Sequence, residues 1–336
     1  MRILFPDRVD VHSPHSTIYR KVGKELPHDV FAFAEPGYDP SIDDEINIIE
    51  VGKNIHNKIL VYLYEYMSNY DIIHTGPLSH VLMSIPASKL SGAKVVHTVH
   101  NAEELSGKYA DRNSIRRKTM VNLADQVTVV SKFLKGHLEE YYNRTAEVVP
   151  NGVDFNQFRP ENAATSESLC LFVGRLVERK NPGFIIDIAE ELPSLDFKIV
   201  GNGPLSQSIS NRSESFPNVE LIPWVEQSEL ERLYAKAGAM ICPFEREAFG
   251  LVLVEAMASG TPVVGLDDGN ISNLVQPTRN GVLCEKLSMK EWRDSIKLAL
   301  ESSSMLSPRE SIREYAWERV AQDYDRIYCN LRNGPG

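Results

Sequence analysis

Cysteine is scarce in this 336-residue chain, and Cys170, Cys242, Cys284 and Cys329 are scattered with no C-x-x-C pair and no metal-ligand spacing. That pattern excludes a disulfide scaffold, and a reduced, cytosolic setting with buried thiols is the simplest account. No run approaches the roughly 18 apolar residues that span a bilayer. Met1 leads straight into a strand-like Arg-Ile-Leu-Phe without a long apolar h-region, so no secretory signal is expected and the localisation is read as cytoplasmic. Positive charge is in deficit. A formal charge of −10 argues against a general nucleic-acid binder, which needs clustered cations to release counterions. Neither G-x-x-x-x-G-K-[ST] nor G-x-S-x-G occurs, so ATP-driven and hydrolase chemistries have no anchor. IVGNGP, residues 199–204, lacks the third glycine of G-x-G-x-x-G, which argues against a nicotinamide fingerprint.

What is present is a long alternation of short β-branched runs and helix-length amphipathic runs, the pattern of parallel sheets covered by helices. The length and a 42% hydrophobic content suit two domains. Strands are expected at 2–5, 30–34, 46–51, 71–75, 94–98, 127–130 and 146–149, then at 168–173, 195–200, 219–223, 239–243 and 262–265. Periodicity lapses from Pro150 to Thr165, which reads as the connection. The fold class is therefore α/β, with two doubly wound, Rossmann-like domains at 1–155 and 165–314. Such sheets bind ligands beyond the carboxyl ends of their strands, so facing domains would enclose a cleft. The charged tail from Ser307 carries Trp317, Tyr324 and Tyr328 and reads as packing helix.

The segment PFEREAFGLVLVEAMASGTPVV places Glu247 and Glu255 eight positions apart in a strand, loop, helix order. The helix start aims the N–H groups of Phe249, Gly250 and Leu251 at whatever lies over the strand end, a ready site for phosphate. A carboxylate just before it would repel an anion unless it faced the hydroxyl-rich part of the same ligand, as in a sugar nucleotide. The alternative is a dipole-favoured acid and a solvated one. In LFVGRLVERKN, residues 171–181, Gly174 follows a strand and is followed by Arg175 and Lys180. A planar fork of donors and a point charge suit a diphosphate, against the alternative of a solvated Glu178–Lys180 pair. Gly201 and Gly203 read as a tight turn near the base or ribose. HTVHN, residues 97–101, puts two histidines at a first-half strand end, of which one should face the cleft; for His100 the alternative is a core or surface histidine. Asp43, Asp44, Asp267 and Asp268 read as solvated turn acids. No metal site is expected.

The ordered set GRLVERKN, VGNGP, PFEREAFGLVLVEAMASGTPVV and AWERVAQDY resembles the retaining GT-B glycosyltransferases of family 4, relatives of sucrose synthase and bacterial glycogen synthase. The likeness is specific over about residues 150–330 and weaker before them. It implies two facing Rossmann-like domains, with the acceptor on the first and a nucleotide-diphosphate sugar on the second, and no bound cofactor or metal. It further implies Arg175 and Lys180 on the diphosphate, Glu247 on sugar hydroxyls, Phe249 and Gly250 amides near phosphate, Glu255 on the ribose and His100 near the donor sugar. The helix at about 315–336 would cross back onto the first domain. Three departures stand out. DRVDVHSPHS, residues 7–16, replaces a Gly-Gly turn; Gly269 to Asn273 replaces a G-G-x-P-E element, leaving Asn273 as a neutral donor-side residue; and the first domain is compact.

The implied activity is metal-independent sugar transfer, with retention, to a hydroxyl of a glycan, a lipid-linked acceptor or a small molecule. A sugar phosphorylase, a nucleotide-sugar epimerase and a non-catalytic partner subunit are the rivals. The basic stretch 108–135, with Lys108, Arg112, Arg116, Arg117, Lys118 and Lys132, reads either as a contact for anionic head groups at the inner membrane face or a phosphorylated acceptor, or as a solvated helix face.

Overall fold

In a computed structural model the alternation resolves into two parallel sheets, one in each of two units. The structure describes residues 1–9, 14–51, 65, 68–76, 78–101, 118–119, 121–161 and 166–334. Loop residues 10–13 and the basic residues Lys108, Arg112, Arg116 and Arg117 lie outside the described residues. One unit is Met1–Gly152 with Trp317–Gly336, the other Val153–Ala316.

The first unit holds β1 (Arg2–Arg8), β2 (Asp29–Ala34), β3 (Ile46–Glu50), β4 (Ile72–Thr75), β5 (Lys94–Val99), β6 (Gln126–Val129) and β7 (Glu147–Val148). Their spatial order is β3-β2-β1-β4-β5-β6-β7, all parallel. Strands covered on both faces are buried throughout, and β4 is buried at every position and β5 at all but Lys94, with His74, Thr75, His97 and Thr98 among the buried side chains. The helix Trp317–Asn333 packs here. It buries Trp317, Val320, Ala321, Tyr324, Ile327 and Tyr328, a stripe at helical spacing, against Phe5, Tyr19 and Val22. Each large apolar side chain so covered contributes roughly 1.5–3 kcal/mol. Polar groups inside this core are satisfied in pairs: His74 Nδ1 meets the Tyr328 hydroxyl and Nε2 the Thr98 hydroxyl, both at 2.6 Å. Burial, helped by neighbouring His97, pushes His74 down to about 3, so it stays neutral.

Asp43 corrects the expectation of a solvated turn acid. It ends the turn Pro40–Asp43 fully buried, with Arg20 Nε at 2.9 Å, Lys24 Nζ at 3.1 Å and the Tyr38 hydroxyl donating to it. Burial pushes its carboxyl up, but the Tyr38 and Lys24 hydrogen bonds and the Arg20 charge outweigh that and hold it below the usual carboxylate range.

The second unit holds β8 (Ser166–Val173), β9 (Asp196–Val200), β10 (Val219–Ile222), β11 (Ala237–Cys242), β12 (Val263–Leu266) and β13 (Gly281–Cys284), in the order β10-β9-β8-β11-β12-β13. The chain winds outward from β8 to β10 and returns to β11, so the order reverses between β8 and β11. A doubly wound sheet opens its ligand crevice at that point. Strand β13 was not expected from the sequence.

Candidate functional site

Arg175, Lys180 and Glu247 hang from the carboxyl ends of β8 and β11. After β8, Gly174 and Arg175 lead into a single 3-10 turn, Glu178–Lys180, ended by Asn181 in the left-handed region at φ 48°. Asn181 is also where the helix Pro182–Glu191 begins, with proline at its first position, where a missing N–H costs nothing. This turn is laced to the loop after β11: Asn181 Nδ2 donates to the Pro243 carbonyl at 2.8 Å, and the Glu245 N–H to the Arg179 carbonyl at 2.7 Å.

The lacing brings Lys180 and Glu247 together across 67 residues of sequence, Nζ to Oε2 at 2.5 Å, with their side chains 10% and 12% exposed. Lys180 therefore pairs with Glu247, not with Glu178. Its ammonium also sits 3.6 Å from the centre of the Phe244 ring, a cation–π contact, and Arg179 approaches the same carboxylate oxygen at 3.6 Å. Burial raises the Glu247 carboxyl, yet the Lys180 charge and hydrogen bond, Arg179 and the Phe249 N–H outweigh it and hold Glu247 below its usual range. Burial lowers Lys180, with Glu247 pulling the other way.

Arg175 stands apart. Its side chain is exposed, and among the described residues it forms no hydrogen bond or ion pair.

The loop carrying Glu247 is fixed from the far side as well. Arg246 takes the left-handed conformation at φ 52°, its N–H donating to Asp268 at 3.2 Å, while the Asn270 N–H donates to the Glu247 carbonyl at 2.8 Å. Asp268 thus holds the loop, an assignment missed when it was read as a solvated acid; Asp267 is exposed.

The helix Leu251–Ala258 starts at Gly250, whose φ of 98° favours glycine. The Phe249 N–H turns to the Glu247 carboxylate, which corrects the expectation of three free amides. Gly250 and Leu251 remain at the open first turn, where N–H groups have no intrahelical acceptor. Phe249 itself is buried, its ring 5.9 Å from that of Tyr315. Asn273 is exposed on the short helix Ile271–Leu274.

Glu255 lies one helical turn further on, partly buried, accepting a hydrogen bond from the buried Tyr234 hydroxyl at 2.9 Å. Burial pushes its carboxyl up to about 7, against the pull of Tyr234. The folded value exceeds the unfolded one, so the folded chain binds the extra proton. The stability tied to Glu255 is then present at low pH and lost as pH rises from about 4.5 to about 7. We expect Glu255→Gln to be more stable than wild type at pH 8, on the order of 1–3 kcal/mol, and nearly equal to it at pH 4.5. Urea unfolding at the two pH values measures this; an equal difference at both would contradict the assignment.

Gly201 and Gly203 have a packing reason. A Cβ at Gly201 would stand 1.9 Å from the Gly174 carbonyl oxygen, and one at Gly203 2.5 Å from that of Leu176. Only bare backbone lets the turn after β9 lie against the turn after β8. In the first unit, His97 is fully buried with Nδ1 3.3 Å from the Thr75 carbonyl. His100 follows β5, its Nε2 3.4 Å from the Tyr19 hydroxyl. Of the basic stretch, Lys118 and Lys132 are exposed, and Lys135 reaches Glu139 at 4.0 Å. Among the described residues no helix is long and apolar enough to cross a membrane.

Two doubly wound parallel sheets, one in each unit of the chain, are the architecture of the GT-B fold. Solved structures agree. Sucrose-phosphate synthase from Thermosynechococcus elongatus matches with TM-score 0.81 and 19% identity over 98% of both chains. HepE from Anabaena, in complex with UDP and glucose, matches with TM-score 0.79 and 17% identity over 98% of this chain and 99% of that one. At such identities the likeness establishes the fold.

The family model for group 1 glycosyl transferases matches residues 154–319, and that for glycosyltransferase family 4 matches residues 24–157. Together they run through most of the sequence, and the chain belongs to this glycosyltransferase family. Among curated relatives, a glycosyltransferase of Methanocaldococcus jannaschii is 25% identical over 85% of this chain and 80% of its own length. A D-inositol 3-phosphate glycosyltransferase of a Nocardioides species is 26% identical over 79% of this chain and 68% of its own length.

Proposed function

We propose that this enzyme transfers a sugar from a nucleotide-diphosphate sugar to an acceptor hydroxyl, with retention at the anomeric carbon and without a metal. The observation that carries the reading is the Lys180–Glu247 pair, buried at the strand ends beside an amide-open helix start. Burying two charges costs several kcal/mol per ion before their attraction offsets it, and apolar side chains would fill the space at less cost. Such a pair at a crevice marks a place built for a ligand. An ammonium has three donors. With one on Glu247, Lys180 keeps others for a phosphate oxygen, while Glu247 takes hydroxyls of the sugar.

In this reading Arg175, Lys180 and the Gly250 and Leu251 amides hold the pyrophosphate, with Gly174 giving it close access to the backbone. Glu255 takes the ribose, and Asn273 lies on the donor side. As the bond from the anomeric carbon to the leaving phosphate oxygen breaks, charge grows on the diphosphate and these donors stabilise it. The acceptor oxygen bonds to the anomeric carbon from the same face, and its proton passes to a leaving-phosphate oxygen. Curated relatives named for D-inositol 3-phosphate, and HepE in complex with UDP, support a uridine nucleotide as the first donor to try and a small polyol phosphate as the first acceptor.

A thermal-shift panel of uridine, guanosine and adenosine diphosphates and their sugars in EDTA tests the binding half, followed by proton NMR of the product anomer. One base series should raise the melting point, and the product should keep the donor's configuration. No shift with any nucleotide would favour the non-catalytic subunit, and turnover that requires orthophosphate would favour a phosphorylase.

Glu255 gives a second expectation. Ribose hydroxyls donate to its ionised form, so binding must draw off the proton it carries below about pH 7. Affinity for a nucleotide sugar, whose pyrophosphate diester does not titrate in this range, should be about tenfold tighter at pH 8 than at pH 6. Calorimetry on wild type and Glu255→Gln checks it: the variant should lose the slope, and a slope that survives would remove Glu255 from the ribose.

A further inference from the structure

In the unit formed with the C-terminal helix, and thus not in the unit of the Lys180–Glu247 pair, a second set of side chains converges. Asp325 and Cys329 are four residues apart on the helix Trp317–Asn333, so they share one face. His28 comes from the segment after the helix Pro14–Glu25 and places Nε2 2.6 Å from Asp325 Oδ1; Cys329 Sγ lies 3.6 Å from the same oxygen. All three ligand atoms fall within 4.8 Å of one another, and all three residues are partly buried. Cys329 differs from the other thiols in this respect, since Cys170, Cys242 and Cys284 are buried.

We propose that His28, Asp325 and Cys329 form a binding site for a borderline-soft divalent cation of the zinc or cobalt class. An imidazole nitrogen, a carboxylate oxygen and a thiolate sulfur are the donor set such ions select, whereas magnesium and calcium prefer oxygen alone. With bonds of about 2.0–2.3 Å to tetrahedral zinc, ligand atoms stand roughly 3.3–3.7 Å apart. The observed separations reach that arrangement with rotamer shifts on the order of an ångström. His28 binds as neutral imidazole through Nε2, Asp325 as carboxylate, and the Cys329 thiol gives its proton to solvent as its sulfur bonds the metal. The fourth position is left to water. The ion ties the C-terminal helix to the segment after the first helix, with His28 and Asp325 297 residues apart in sequence.

Cobalt(II) titration of the full chain, stripped with a chelator, tests the site. Wild type should take up one equivalent and show a thiolate-to-cobalt charge-transfer band. Cys329→Ser should abolish the band, and His28→Ala and Asp325→Asn should each weaken binding by at least about 10- to 100-fold. Zinc should also slow iodoacetamide alkylation of Cys329 in the native wild type, and His28→Ala should remove that protection, which keeps the test independent of how Cys329→Ser folds. No thiolate band in wild type, a band that persists in Cys329→Ser, or an alkylation rate indifferent to zinc would each overturn the site.

Discussion

Arg175→Ala should lower kcat by roughly 10²-fold or more while leaving the fold intact. The residue is exposed and its side chain forms no hydrogen bond or ion pair among the described residues, so its removal strands no buried partner. Melting should stay within about 0.5 kcal/mol of wild type, the range of a surface substitution. The loss should fall on kcat more than on KM, because the charge that Arg175 meets grows as the leaving group departs. Arg175→Lys keeps the charge but not the planar fork and should recover only part of the rate. Steady-state kinetics with a confirmed donor and acceptor decides it, and wild-type turnover by Arg175→Ala would remove the residue from the diphosphate.

Lys180→Ala should behave differently, since it affects stability and chemistry together. It leaves the largely buried Glu247 carboxylate without its partner, and breaking a buried pair costs about 3–5 kcal/mol. Arg179, 3.6 Å from the same carboxylate but half-exposed, offsets part of that cost. The double variant Lys180→Met with Glu247→Gln removes both charges and should regain much of the stability, yet remain inactive. A double-mutant cycle read by urea unfolding and by turnover separates the two effects. The wild-type stability from Glu247 is present above its unfolded value near 4.5 and is lost as pH falls through its lowered folded value, so the single variant should lie closest to wild type in acid. If the double variant turned over donor at the wild-type rate, the pair would be structural only.

The fold was legible where burial on both faces writes itself as an unbroken apolar run. Strands such as β11 and β12 are of this kind, and the helix after Gly250 is broken only by Glu255. Strand β13 was not legible, because Gly-Val-Leu-Cys is too short and too ordinary to be told from loop. At the candidate site, the positions of Lys180 and Glu247 after strand ends and of Glu255 on the helix were legible in the sequence. Their supports did not. Phe244 under the ammonium, Arg179 on the carboxylate, Asn181 on the Pro243 carbonyl and Tyr234 on Glu255 act across tens of residues, where sequence spacing carries no signal. Asp43 shows the same limit: a polar turn sequence looks solvated until Arg20, Lys24 and Tyr38 close over it. The packing of Gly201 on the Gly174 carbonyl likewise belongs to two strand ends meeting, which neither motif states alone.

The central claim is that Arg175, Lys180 and the amides of Gly250 and Leu251 hold one pyrophosphate without a metal. A crystal structure of the enzyme with a nucleoside diphosphate, grown in EDTA, measures it directly. The account predicts phosphate oxygens within hydrogen-bond distance of the Arg175 guanidinium, Lys180 Nζ and at least one of the two amides, with the ribose on Glu255. A diphosphate bound elsewhere, or bound there with Arg175 and Lys180 turned away, would contradict it.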